Sequence, residues 1–164
     1  MNILVYDIEI KKAILSRNEI PQKDIEYATG WDDPALGVSC LAAALWCPER
    51  WEVPVYSIFM EDNLPLFHEL ITSADLLVGF NTVKFDNKHL NIAGIVGLDQ
   101  KPHFDMLREM WIASGLDPDN FNPKLHGGFS LRQTLETNLP KLAEKQDNGA
   151  WAPVLYQRKK FGEL

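Results

Sequence analysis

The period of apolar and polar positions changes several times along the chain, and each change marks an element. Residues 3–10, Ile-Leu-Val-Tyr-Asp-Ile-Glu-Ile, form an apolar run interrupted by two acids one residue apart. Read as a β-strand, the run places Asp7 and Glu9 on one face and Tyr6, Ile8 and Ile10 on the other. Residues 11–34 are polar and mixed, with Pro21, Gly30 and Pro34, and read as a long excursion. A loop of that length in a compact domain is usually functional or partly ordered on its own.

Residues 36–46 and 51–59 are apolar and separated by Cys-Pro-Glu-Arg, which predicts a β-hairpin able to pair with the first strand. The Ala-rich first arm also suits a helix, but Val38 and the turn that follows favour strand. Pro54 suggests an edge position for the second arm. Leu66, Phe67, Leu70 and Ile71 form an apolar stripe at helical spacing over residues 64–74. A short buried strand is expected at residues 76–80, and then a helix from about Val83 to Val96, closed near Gly97. A short segment ends at Phe104, followed by a helix from Met106 to Ala113 with Leu107, Met110 and Trp111 on one side. Residues 115–128 are rich in Gly, Pro, Asp and Asn and read as a loop. Ser130 with Gln133 is a capping-box signature for a helix running to about Asn138. Strands first, then alternating strands and helices, predict an α/β domain, a mixed sheet with helices packed on it.

Composition narrows the class. A chain of 164 residues, 46% hydrophobic and 24% charged, suits one domain with a substantial core rather than a disordered or fibrous chain. No stretch approaches the roughly 20 apolar residues of a membrane span, and the start lacks the pattern of a signal peptide, so a cytoplasmic protein is expected. Cys40 and Cys47 have no partner at zinc-ligand spacing and read as core thiols. The net charge of −7 argues against a broad electrostatic grip on nucleic acid. It does not argue against an enzyme that holds a few nucleotides through bound metals. The basic run Arg158, Lys159 and Lys160 reads as a solvated turn. No Gly-rich phosphate loop, nucleophile elbow or paired catalytic His supports a small-molecule enzyme.

The two acids of the first strand carry the candidate chemistry. Burying like charges side by side is costly unless a cation lies between them, and a hard divalent ion such as Mg²⁺ or Mn²⁺ suits carboxylate oxygens. The alternative is that Asp7 and Glu9 mark the solvent-facing end of an edge strand. Further along, residues 78–86 run from a buried strand through a turn into a helix start, which puts Asp86 where a helix dipole favours a carboxylate. Asn81 suits an N-cap or turn, and Phe85 a buried position.

Tyr-Asp-Ile-Glu-Ile followed by Gly-Phe-Asn-Thr-Val-Lys-Phe-Asp resembles motifs I and II of the DEDD 3′–5′ exonucleases, which share a ribonuclease H-like fold. The nearest likeness is to the exonuclease domains of family B DNA polymerases and their stand-alone viral and bacterial relatives. His103-Phe104-Asp105, Gly128-Phe129-Ser130-Leu131 and Gly149-Ala150-Trp151-Ala152-Pro153 agree more loosely. The resemblance implies hydrolysis of the 3′ end of single-stranded DNA or RNA with two divalent ions, Mg²⁺ or Mn²⁺. Asp7 and Glu9 would hold the catalytic ion, with Asp7 bridging to the second and Asp86 reaching that ion directly or through water. Asn81, Phe85 and Ile8 would meet the substrate, and a replication or repair partner would be in keeping.

The family also needs a fourth carboxylate, in Tyr-x-x-x-Asp or His-x-Ala-x-x-Asp. Here Tyr156 is followed four residues on by Lys160, and the positions five after His68, His89, His103 and His126 are Ser73, Gly94, Arg108 and Leu131. The expectation is therefore a single ribonuclease H-like domain whose C-terminal helix is absent and whose activity is impaired. Asp105 is the one replacement to consider, against its simpler role as N-cap of the helix at Met106. His126 with Gly127 and Gly128 suits either the lining of a substrate loop or, the better reading, a flexible surface turn. Trp31, in the polar excursion, is a candidate for stacking on a base. A non-catalytic binding or scaffold module of the same fold is the rival reading.

Overall fold

The computed structural model describes residues 1–139 and 149–163. In chain order the first elements are β1 (Ile3–Ile10), β2 (Ala13–Ile14), β3 (Tyr27–Ala28), β4 (Val38–Trp46) and β5 (Val55–Met60). They are followed by α1 (Phe67–Ser73), β6 (Leu76–Gly79), α2 (Asp86–Ile92), β7 (His103–Asp105), α3 (Met106–Ala113), α4 (Pro123–His126), α5 (Leu131–Asn138) and α6 (Ala152–Gln157). The main sheet has the order β5-β4-β1-β6-β7. β4 runs antiparallel to both β1 and β5, whereas β6 and β7 run parallel to β1 and to each other. This is a mixed α/β sheet of the ribonuclease H-like kind.

β1 is the central strand, so the edge-strand reading of Asp7 and Glu9 does not hold. Its alternation sends Leu4, Tyr6, Ile8 and Ile10 inward, where Leu41, Phe59, Phe67, Ile71, Leu77 and Leu90 complete the core. The Ala-rich arm is a strand because it lies against β1 in register, with Ala42 opposite Asp7 and Cys40 opposite Glu9. Small side chains there leave space beside the acids, and a register shift between Glu9 and Ile10 ends the regular pairing at that point. Away from the acids the same outer face is open: Val5, Tyr56, Ile58 and Phe104 are all exposed.

Several boundaries differ from the periodic pattern. α2 starts at Asp86 rather than Val83, because Asn81 has a positive φ of 63° and the helix cannot begin until that turn is complete. The helix also stops before Gly94, at φ 88°, rather than near Gly97. Leu66 belongs to a short 3₁₀ turn and is exposed, so the stripe on α1 is carried by Phe67 and Ile71, with Leu70 packed against the core beside them. The excursion over 11–34 carries β2 and β3, a two-stranded parallel pair whose Ala13 and Tyr27, with Ile25 just before β3, pack with Val154 of α6. That packing partner explains α6, an element the pattern did not reveal. Ser130 and Gln133 form the capping box of α5 as expected. Cys40 and Cys47 are buried thiols, and Arg158 of the basic run pairs with Asp24 on the surface. Among the described residues no helix is long and apolar enough to cross a membrane.

Candidate active site

Asp7 and Glu9 stand on the outer face of β1, Asp7 exposed and Glu9 half-buried. They line a cavity of ≈ 540 Å³ together with Ile8, Trp31, Phe85 and Pro153. Asp86, the first residue of α2, lies buried beneath this strand and accepts a hydrogen bond from the backbone N–H of Ile8 at 3.0 Å. Burial, and then the neighbouring charge of Asp7, push its carboxyl up to about 7, while the Ile8 N–H pulls the other way. Ile8 therefore does two things: its side chain seals the core and its amide ties Asp86 to β1.

Three carboxylates offer the hard oxygen donors that Mg²⁺ or Mn²⁺ prefers, and Asp86 is raised by burial first and by the charge of Asp7 second, the second being the part a cation would relieve. Among the described residues, however, no three His, Cys, Asp or Glu side chains stand close enough to hold an ion. The donor chemistry suits a divalent cation, and the spacing falls short of a three-residue cage. Asp7 and Glu9 are the acids among the described residues lining the cavity.

The turn between β6 and α2 is built from close backbone contacts. A Cβ on Gly79 would lie 2.1 Å from Thr82 Cγ2, so only glycine lets the chain turn here. Asp105 closes the turn from the neighbouring strand. Its carboxylate accepts from the backbone N–H groups of Asn81 (2.8 Å), Val83 (3.0 Å) and Leu107 (3.1 Å). Asp105 is thus the N-cap of α3 and the clamp of the Asn81 turn, which replaces its reading as a substitute metal ligand. Thr82 Oγ1 and His103 Nε2 lie 2.8 Å apart, with burial holding His103 below the usual imidazole range.

Phe85 and Trp31 meet edge to face, ring centroids 5.7 Å apart, and Phe85 also packs on His89. Phe85 is half-buried, joining the core while facing the cavity. Trp31 is 63% exposed, and α2 pins its loop: His89 Nε2 donates to the Trp31 carbonyl (3.2 Å) and Lys88 pairs with Asp32 (2.6 Å). A second cavity of ≈ 390 Å³ adjoins the first, sharing Trp31 and Phe85, and contains Asn81 and Lys84. His126 lines it too, but as a buried ring between Trp111 and Phe121, with Nε2 2.9 Å from the Asp117 carbonyl. The surface-turn reading of His126 fails because α4 and these rings enclose it.

The structure brings Asp7, Ile8, Glu9 and Phe85 to one cavity, ties buried Asp86 to the Ile8 backbone, and places Asn81 in the next cavity. Tyr156, which begins the incomplete Tyr-x-x-x pattern, donates its hydroxyl to Glu61 at 2.6 Å. Sequence reasoning assigned no role in the site to Ile14, Leu15 or Lys88, and took Pro153 and Lys84 only within motifs, not as parts of the cavity walls. Local period gave the wall little signal, since Ile14 ends a two-residue strand, Leu15 follows it, and Pro153 belongs to a short helix that only tertiary packing explains.

No family model and no curated protein matches the chain. Three solved structures of exonuclease I are similar to it. A zinc-bound complex of the E. coli protein with single-stranded DNA is 17% identical, with a TM-score of 0.49, covering 97% of this chain and 41% of that one. A product-bound form is 15% identical, with a TM-score of 0.47, over 87% and 45%. The E. coli protein with a dT13 oligonucleotide is 16% identical, with a TM-score of 0.45, over 74% and 31%. The chain thus spans less than half the length of the solved chains it matches.

Proposed function

We propose that this chain is a metal-dependent 3′–5′ exonuclease domain acting on single-stranded DNA or RNA. The observation that supports the reading best is that Asp7 and Glu9 share one cavity while Asp86, buried and bound to the N–H of Ile8 between them, has its carboxyl raised to about 7 by burial and by Asp7. A site that accumulates negative charge beneath a nucleotide-sized opening suits the recognition of a phosphodiester through divalent cations. When bound, such ions activate water and stabilise the leaving oxygen. The chain's own residues divide the remaining tasks. Asp7, Glu9 and Asp86 would hold the cations, Ile8 orients Asp86, and Phe85 and Asn81 would meet the terminal nucleotide. The ordered motifs resemble most those of family B polymerase exonuclease domains and their stand-alone relatives.

The same proposal includes a single ribonuclease H-like domain whose 164 residues contain neither Tyr-x-x-x-Asp nor His-x-Ala-x-x-Asp, a cytoplasmic location, and a replication or repair partner. Activity is expected to be weak, because a loosely held ion misplaced by ~1 Å costs about a hundredfold in rate. A second reading, a non-catalytic nucleic-acid-binding or scaffold module, is favoured by one observation: no three-residue ligand cluster occurs among the described residues. Degradation of a 5′-labelled single-stranded DNA, with Mn²⁺ and with chelator, separates the two. Metal-dependent shortening from the 3′ end that disappears in Asp7→Ala supports the enzyme. No shortening by the parent chain in Mn²⁺ leaves the binding module.

A further inference from the structure

Trp31 is an exposed tryptophan that the fold holds in place rather than leaves loose. Two consecutive residues of α2 fix its loop, His89 through the Trp31 carbonyl and Lys88 through Asp32. Its ring meets Phe85 edge to face at 5.7 Å, and this pair forms part of the wall of both cavities. A large apolar ring kept 63% exposed between two openings gains only part of the stabilisation that burial would give, beyond its contact with Phe85. It suits a flat ligand instead.

The second cavity has the other half of that chemistry. Lys84 lies 5.6 Å above the Trp111 ring, on the same wall as Phe121. The Trp111 Nε1 proton is buried with no acceptor among the described residues, a donor left over by the protein's own packing. Aromatic faces with a single cation nearby are the elements that bind single-stranded nucleic acid without reading its sequence.

We propose that Trp31, braced by Phe85, is a base-stacking platform between the two cavities. A single strand with its terminal nucleotide at Asp7 and Glu9 lays the preceding base on Trp31 and continues into the second cavity, where Lys84 faces its phosphate. The polarity of the strand rests on the exonuclease reading, whereas the platform itself does not. Because the loop is anchored from α2, the ring needs little ordering when a base arrives, which saves side-chain entropy on binding.

The test is fluorescence anisotropy of a 5′-labelled thymidine hexamer in chelator, so that no turnover occurs, with the full chain and its variants. Trp31→Ala is expected to weaken binding about tenfold and Trp31→Phe much less, since any flat ring offers a stacking face. A hexamer of abasic sugars is expected to bind the parent chain and Trp31→Ala alike, a result that mere loosening of the loop would not produce. Lys84→Gln is expected to reduce the salt slope by about one ion. Equal hexamer affinity of the parent and Trp31→Ala, or no hexamer binding by the parent, overturns the platform. The exonuclease reading fails separately: Trp31-dependent binding without metal-dependent shortening leaves the platform standing and removes the enzyme. Shortening lost in Asp7→Ala but indifferent to Trp31 does the reverse.

Discussion

In the metal-free chain, Asp86 is expected to make stability fall as pH rises, the opposite of an ordinary paired carboxylate. Its carboxyl titrates at 3.8 when exposed and at about 7 in the fold, because burial and the charge of Asp7 both disfavour the anion. Between those values the unfolded chain has released the proton and the folded chain still holds it. Folding must then take up a proton, so stability is present in full below pH 3.8 and is lost as pH rises towards 7. At 1.36 kcal/mol per pH decade, the gap corresponds to ~4 kcal/mol, of which relaxation around the site returns a part. Asp86→Asn keeps an oxygen to accept from Ile8 but has no proton to lose, and should remove this dependence. Urea unfolding of both proteins in chelator, from pH 4.5 to 7.5, measures the difference. The expected result is a parent chain that declines by ~2–4 kcal/mol relative to Asp86→Asn across that window, with Mn²⁺ restoring the parent near pH 7. Parallel pH profiles for the two proteins would refute the placement of Asp86 as a buried carboxyl raised by Asp7.

Other consequences follow from the same geometry. Asp105→Ala leaves three backbone N–H groups without their acceptor and should cost ~2–4 kcal/mol in urea unfolding, with Asp105→Asn recovering part of it. Gly79→Ala forces a Cβ to within 2.1 Å of Thr82 Cγ2 and should cost ~1–3 kcal/mol; an unchanged melting temperature would mean that the turn is not as tight as described. Ile58→Lys, on the open face of β5, should change stability by less than ~0.5 kcal/mol, and a larger loss would show that this face is covered in solution.

Much of the fold is legible in the chain because its strands and several helices state their period locally. The first strand shows its two faces by simple alternation, and the capping box at Ser130 and Gln133 marks its helix by itself. The pairing of Asp7 with Glu9 is a property of eight consecutive residues, and no tertiary contact was needed to see it. Asp86 was found by motif, but its burial, its bond to Ile8 and its raised carboxyl depend on where α2 lands against β1. Asp105 shows the limit of local reading: its cap on α3 is local, whereas its grip on the Asn81 turn crosses 24 residues. His126, read as part of a surface turn, is buried because Trp111 and Phe121 converge on it from other segments.

The sequence by itself determined the alternation of β1, the shared face of Asp7 and Glu9, and the order of the main-sheet strands with the helices between them, because these depend on neighbours a few residues apart; it did not show β2, β3, α4 or α6. The tertiary structure alone decided that β1 is central, that Ala42 leaves room beside the acids, and that Trp31 from an irregular excursion stands at their cavity. Those outcomes come from strand register and from side chains of Lys88 and His89 reaching across the fold, and a contact between distant segments leaves no period in the sequence.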